Sequence, residues 1–281
     1  MHLGGRRIAL RLLLSVGSLL AVLAAAASWA TADRLDNPPP STTPAASVTK
    51  TVMLVGDSVP KSFAADMAVA AAKRGYAVVS AAWGGCPATG VGKVFSSGRP
   101  WKHSSCPRVV AEQDAIVEKY RPALVIWWSR YELAPRDGGS GKALPLGSRA
   151  YFRAQQASFD ERVHALTKLG AKLVAVQIEP PGPDLAVRNP PEKYFLVGRT
   201  LLHRWDVVSA WNAFLAGHKG PTVFSISIRR LVCRDNRDPC NDTLPSGAPA
   251  RPDGVHYSEA ARRLLAPKIL EAAWRAARLA Q

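Results

Sequence analysis

Serine, histidine and aspartate, residue types that can act together in nucleophilic catalysis, occur in two short segments that lie far apart in this sequence. Ser58 follows Leu54-Val55-Gly56-Asp57, and Asp253-Gly254-Val255-His256 comes about 200 residues later. A serine hydroxyl is a poor nucleophile at neutral pH, so it needs a base within hydrogen-bonding reach. An aspartate three residues before a histidine can fold back and orient the imidazole. The pattern predicts Ser58 as the nucleophile, His256 as the general base and Asp253 as the group that orients His256.

The segments around these residues predict how they could meet. Short apolar stretches alternate with longer helical patterns after residue 50. The predicted strands are residues 51–55, 76–82, 123–128, 172–178 and 222–226, and the predicted helices are residues 61–74, 108–119, 149–169, 197–216 and 258–279. This alternation predicts an α/β three-layer sandwich, with a mostly parallel five-stranded sheet and helices on both faces. Ser58, Gly84-Gly85, Ser129-Arg130 and Glu179 each follow a predicted strand, so we expect them at the carboxyl edge, where ligands bind.

The first 50 residues differ in composition from the rest of the chain. Arg6 and Arg7 precede an apolar run over residues 12–27, and Ala30-Thr31-Ala32 has the small-x-small form of a signal-peptidase site. We interpret residues 1–32 as a signal peptide, with an uncleaved N-terminal membrane anchor as the alternative. Residues 33–50 are rich in Pro, Ser and Thr and predict a linker, which leaves residues 51–281 as the folded domain. The domain is therefore expected outside the cytoplasm, secreted or anchored.

The chain is strongly basic, with a formal net charge of +16. A generally basic soluble surface is one explanation, and attraction to an anionic cell envelope is the more specific one. Nucleic acid is not expected as a partner, because the Lys and Arg residues are scattered and form no binding motif.

Four cysteines follow the linker, at Cys86, Cys106, Cys233 and Cys240. In an oxidising compartment an even number of cysteines predicts disulfides, and three pairings are possible. The local pairing, in which each cysteine bonds its nearer neighbour, would close two loops that flank the strand ends. The spacings do not resemble those of a zinc site and no pair of histidines accompanies them, so neither a metal nor a cofactor is expected.

Val55-Gly56-Asp57-Ser58, together with the late Asp-x-x-His, resembles the SGNH (GDSL-type) hydrolase superfamily. The Gly85-Cys86-Pro87 loop and the late cysteine pair resemble the SGNH domains fused to acyltransferase-3 membrane proteins. The resemblance implies a flavodoxin-like SGNH fold over residues 51–281 and a Ser58–His256–Asp253 triad. It also implies a serine esterase or O-acyltransferase that acts on O-acyl esters, such as acetyl esters, of an extracytoplasmic glycan. A separate membrane acyltransferase is an expected partner, beside an acylated carbohydrate or another small ester as substrate.

The same resemblance implies an oxyanion hole made by the backbone N–H of Ser58 and an N–H of Gly84 or Gly85. The superfamily usually adds a Gly-x-Asn-Asp block after the third strand. Here the corresponding residues are Trp127-Trp128-Ser129-Arg130-Tyr131-Glu132, without an asparagine. Ser129 or Arg130 is the candidate replacement for the missing donor.

Two other functions remain open at this stage. A catalytically weak or inactive module that binds envelope polysaccharide would retain the fold and the basic charge without turnover. A lipase-like thioesterase or phospholipase would require an open apolar groove. Trp83 and Trp101 are candidates for stacking on a sugar ring, with packing in the core as the alternative, whereas Trp127 and Trp128 are expected in the core.

Overall fold

A computed structural model describes residues 50–91, 106–136, 142–185, 196–218, 220–235 and 237–279. All of them belong to one compact unit. The predicted signal or anchor segment, nearly all of the linker, and Trp101 lie outside the described residues. No helix within the described ranges is both long enough and apolar enough to cross a membrane.

Five strands form one sheet, in the order β2-β1-β3-β4-β5, and all four neighbouring pairs are parallel. The strands are β1 (Lys50–Gly56), β2 (Tyr76–Ala82), β3 (Leu124–Trp128), β4 (Lys172–Val176) and β5 (Val223–Ile226). The predicted five-stranded α/β fold is confirmed. From β1 the chain goes to β2 on one side of it and then to β3 on its other side, so the strand order reverses at β1. The crevice between the carboxyl ends of β1 and β3 is therefore the expected ligand site.

Helices cover both faces of this sheet because successive side chains of each strand point to opposite faces. The helices are α1 (Ser58–Ala72), α2 (Cys106–Tyr120), α3 (Arg149–Thr167), α4 (Leu196–His203), α5 (Trp205–Gly217), α6 (Arg229–Val232) and α7 (Glu259–Ala276). One core cluster contains Leu54 and Trp128 with residues of α1 and α7, and the other contains Val55 and Trp127 with residues of α2, α3, α4 and α5. Both tryptophans are buried, as predicted.

Most predicted helix ends lie within one to three residues of the observed ones, and two differences have a clear physical cause. The first helix begins at Ser58 rather than at residue 61, because a proline is tolerated in the first turn of a helix and Pro60 does not delay it. The predicted helix over residues 197–216 is two helices, α4 and α5. They are separated at Arg204, whose backbone has φ −132° and ψ 51°. The Arg204 guanidinium donates hydrogen bonds to both carboxylate oxygens of Asp206, each at 2.9 Å, in the first turn of α5.

Candidate active site

Ser58 lies where β1 turns into α1. Gly56, the last residue of β1, has φ +147°, and a Cβ atom at this position would lie 1.8 Å from the Trp128 carbonyl oxygen. Only glycine allows β1 to approach the end of β3 this closely. Ser58 is therefore the first residue of a helix whose N-terminal N–H groups point toward the carboxyl edge of the sheet and favour negative charge there.

The structure brings the three predicted triad side chains together. Ser58 Oγ lies 2.7 Å from His256 Nε2, and His256 Nδ1 lies 2.6 Å from Asp253 Oδ2. A carboxylate only accepts hydrogen bonds, so Nδ1 carries the proton and Nε2 is left to accept from Ser58. The His256 side chain is 42% exposed, which leaves the pair accessible to a substrate.

The turn that carries Asp253 and His256 is fixed by its own hydrogen bonds. Asp253 Oδ1 accepts from the backbone N–H groups of Val255, at 2.8 Å, and His256, at 2.6 Å. Burial alone would raise the pKa of the Asp253 carboxyl, but these bonds and the His256 ring hold that pKa below its usual range. Gly254 takes φ +77°, and a Cβ atom there would lie 2.4 Å from the Leu185 backbone nitrogen, so the turn requires glycine.

Asp57 joins the nucleophile to the segment after β3. Its Oδ1 accepts from the Val59 N–H at 2.9 Å and caps α1, whereas its Oδ2 accepts from the N–H groups of Arg130, at 2.6 Å, and Tyr131, at 3.3 Å. Burial raises the pKa of Asp57, and the positive charge of Arg130 and the three N–H groups oppose that rise. The sequence motif places Asp57 directly before Ser58. It did not predict the contacts to the segment after β3.

The candidate oxyanion donors lie on two loops. A Cβ atom built on Gly84 would be 3.9 Å from Ser58 Cβ, so the Gly84-Gly85 loop reaches the nucleophile. The side chains of Ser129 and Arg130 are engaged elsewhere. Ser129 Oγ accepts from the Ala88 N–H at 3.3 Å, and the Arg130 guanidinium donates to the Val255 carbonyl at 2.8 Å.

Two disulfides hold the loops around the site, and they follow the local pairing. The Cys86–Cys106 bond attaches the Gly84-Gly85 loop to α2, and the Cys233–Cys240 bond closes the loop after α6. Trp83 packs against the first disulfide, and its indole N–H donates to the Glu112 carboxylate. In the described ranges no cluster of three or more His, Cys, Asp or Glu side chains is arranged to hold a metal ion.

A small cavity of about 30 Å³ adjoins Ser58 and His256. Helix α4 supplies one wall of the cavity. This contact could not be predicted, because no local sequence pattern connects α4 with Ser58. The α4 residues that line the cavity are Val197, Gly198 and Leu201. The remaining lining residues, besides Ser58 and His256, are Asp57, Arg130, Tyr131 and Val255.

Comparisons with known proteins identify the family and the fold of this chain. Residues 28–271 match the family model described as SGNH domain (fused to AT3 domains). The search of curated proteins found no match. The periplasmic domain of the lipopolysaccharide acetyltransferase of Salmonella ser. Paratyphi A superimposes with a TM-score of 0.50 and 13% identity, over 80% of this chain and 84% of that chain. A GDSL-like lipase of Bacteroides thetaiotaomicron VPI-5482 superimposes with a TM-score of 0.49 and 13% identity, over 84% and 93%.

Proposed function

Since this chain belongs to the family of SGNH domains described as fused to AT3 domains, we propose that it is a serine esterase or O-acyltransferase that works through Ser58, His256 and Asp253. The observation that carries this proposal is the unbroken contact of the three side chains, with separations of 2.7 Å and 2.6 Å. Both distances are in the range of a good hydrogen bond. A nucleophile, a base and an orienting carboxylate in this order are what acyl transfer to serine requires.

Acyl transfer by these residues takes two half-reactions. Ser58 Oγ attacks the carbonyl carbon of an ester while His256 Nε2 takes the hydroxyl proton. The tetrahedral intermediate then expels the alcohol, which takes that proton from His256 and leaves an acyl ester on Ser58. A water molecule or a sugar hydroxyl next gives its proton to His256 and attacks the acyl carbon, and Ser58 leaves with the proton. Water yields a free acid and a sugar yields a new ester, so the same residues serve hydrolysis and transfer.

Backbone N–H groups are the proposed stabilisers of the oxyanion that forms in both half-reactions. The N–H of Ser58 lies at the N-terminus of α1, where the helix dipole adds to its effect. The second donor is an N–H of Gly84 or Gly85, and the closeness of Gly84 to Ser58 supports this role. Ser129 and Arg130 are not proposed as side-chain donors, because Ser129 Oγ lies against the Ala88 N–H and the Arg130 guanidinium donates to the Val255 carbonyl and to Glu179.

The acyl group is proposed to be short, with acetyl as the example. The cavity beside Ser58 has a volume of only about 30 Å³, and Leu201 forms part of its wall. We expect Leu201→Ala to raise the rate of p-nitrophenyl butyrate hydrolysis relative to p-nitrophenyl acetate. An unchanged ratio of the two rates in a folded variant would contradict this assignment of the cavity.

An acylated carbohydrate outside the cytoplasm is the proposed substrate. The family is described as fused to AT3 domains, and the aligned Salmonella domain is the periplasmic part of a lipopolysaccharide acetyltransferase. We therefore propose an extracytoplasmic location and a membrane acyltransferase as partner. The net charge of +16 supports attraction to an anionic envelope.

Hydrolysis of p-nitrophenyl acetate by purified protein tests the catalytic proposal. We expect turnover by the wild type, and Ser58→Ala should abolish it without changing the folded state. Ser62→Ala is the matched control, because Ser62 lies one turn later on α1 and donates its hydroxyl to the Val59 carbonyl. Equal activity of Ser58→Ala and Ser62→Ala would contradict the role of Ser58.

A binding module without turnover is the second candidate. The observation that favours it is the engagement of both Ser129 and Arg130 away from Ser58, because the loss of one oxyanion donor commonly costs about 3–4 kcal/mol of transition-state stabilisation. This candidate predicts that neither the wild type nor Ser58→Ala hydrolyses p-nitrophenyl acetate. It also predicts that both proteins are retained equally on immobilised envelope polysaccharide.

A further inference from the structure

One buried ion pair holds both chain neighbours of His256. The Arg130 guanidinium donates to the Val255 carbonyl at 2.8 Å, and the Tyr257 hydroxyl donates to Glu179 Oε1 at 2.5 Å. Arg130 also donates to this same oxygen of Glu179. The residues directly before and after His256 therefore depend on one charged pair, whose side chains are 3% and 0% exposed.

The pair also connects to the nucleophile. Arg130 follows β3 and Glu179 follows β4, two neighbouring strands of the sheet. The backbone N–H of Arg130 donates to Asp57 Oδ2 at 2.6 Å, and Asp57 caps the helix that begins at Ser58. Arg130 thus contacts the segment that holds the nucleophile through its backbone and the segment that holds the base through its side chain.

The surroundings keep this pair charged and fixed. Burial alone would raise the pKa of Glu179, but the positive charges of Arg130 and Arg251, together with the hydrogen bond from Tyr257, lower it below its usual range. Arg251 is fully buried, and it donates to Asp242 Oδ2 at 2.8 Å and to the Pro180 carbonyl at 2.5 Å. The carboxylate that accepts from Tyr257 is therefore bonded by Arg130, and the positive charge of Arg251 acts on it as well.

Stability alone does not explain a buried ion pair at this position, because an apolar pair of similar volume is often as stable or more stable. Its specific property is the placement of its hydrogen bonds on either side of His256. We propose that Arg130 and Glu179 are positioning residues that hold the His256 imidazole in line with Ser58, an inference that rests on the proposed function. Neither side chain takes or gives a proton in the reaction.

Replacement of both charged residues, Arg130 and Glu179, distinguishes a role in positioning His256 from a role in folding. The double variant Arg130→Met/Glu179→Leu removes both charges of the ion pair together. Asp57 loses the nearby positive charge of Arg130 but keeps its three backbone N–H donors, including that of residue 130. We expect the double variant to fold, and kcat/KM for p-nitrophenyl acetate should fall about 10- to 100-fold, since a misplacement of about 1 Å can cost 100-fold. In a His256→Ala background the same double replacement should change the residual rate less than about 3-fold.

The inference would be overturned if the double replacement lowered the rate by the same factor with and without His256. Full activity of the folded double variant would also overturn it. If the double variant does not fold, Tyr257→Phe removes only the hydroxyl that bonds Glu179. We then expect kcat/KM to fall about 3- to 10-fold when His256 is present and not to change in the His256→Ala background. Equal losses of kcat/KM in the two backgrounds would again overturn the inference.

A readout without turnover keeps the inference separate from the proposed function. The Nδ1 proton of His256 should give a protected, downfield NMR signal in the wild type, because it bonds Asp253 at 2.6 Å. The signal should broaden or vanish in the double variant or in Tyr257→Phe. An inactive wild type would refute the proposed function alone, whereas an unchanged signal would refute the positioning role.

Discussion

Replacement of Asp57 by asparagine should destabilise the protein more than the loss of a helix cap alone. The Asp57 carboxylate accepts three backbone N–H groups, those of Val59, Arg130 and Tyr131. An amide of the same shape has one accepting oxygen and one donating nitrogen. Whichever way it turns, its NH₂ group faces at least one N–H donor, and that donor loses its acceptor.

The expected size follows from the number of bonds lost. Each buried polar group left without a partner costs about 1–3 kcal/mol. In the better orientation the amide oxygen faces the N–H groups of Arg130 and Tyr131, and the new NH₂ group and the Val59 N–H face each other, both without an acceptor. Removal of a buried charge offsets part of this loss, since burial raises the pKa of Asp57. We expect a net loss of about 2–3 kcal/mol, which lowers Tm by roughly 4–12 °C in a domain of this size.

Ser148→Ala is the matched control. Ser148 also caps a long helix through one bond, from the Tyr151 N–H at 3.1 Å, and its loss should cost about 1 kcal/mol. Urea and thermal unfolding of the two variants, measured beside the wild type, give the comparison. If Asp57→Asn is no less stable than Ser148→Ala, the buried carboxylate of Asp57 stabilises the protein no more than a single helix cap does, and the reasoning fails.

The remaining predictions concern the triad, the oxyanion loop and the second disulfide. Asp253→Asn should lower kcat for p-nitrophenyl acetate by about 10³- to 10⁴-fold, because the amide favours the wrong tautomer of His256; a loss below 10-fold would exclude the proposed role. Gly84→Val should lower kcat/KM at least 10-fold with little change in Tm, since its added carbons start 3.9 Å from Ser58 Cβ; unchanged kinetics would place the oxyanion elsewhere. Cys240→Ser opens a disulfide with a sequence separation of 7 and should cost about 2–3 kcal/mol of stability in urea unfolding; an unchanged midpoint would contradict the estimate.

The layout of the fold could be predicted from the sequence because its signals are local. Apolar strands and amphipathic helices alternate regularly, and Ser58 and Glu179 follow strands that the apolar runs identify on their own. Parallel strands place such residues at one edge whatever the loop lengths. The contact between Ser58 and His256 was predicted from the late Asp-x-x-His motif and from the resemblance to the SGNH superfamily, because His256 itself does not follow a strand.

Long-range contacts of polar side chains could not be predicted in this way. Arg130 bonds Val255, which lies 125 residues later, and Glu179, which lies 49 residues later, and neither bond leaves a pattern in the sequence. The break at Arg204 was missed because helix propensity favours a continuous helix there, and the bonds of its guanidinium to Asp206 become visible only in the structure.

Covalent labelling with a fluorophosphonate, followed by mass spectrometry of the digested protein, tests the assignment of the nucleophile most directly. We predict one adduct, on Ser58, whose formation slows strongly in His256→Ala because the base 2.7 Å away is gone. An adduct on another serine, or labelling of Ser58 at the same rate without His256, would contradict a Ser58–His256 catalytic pair.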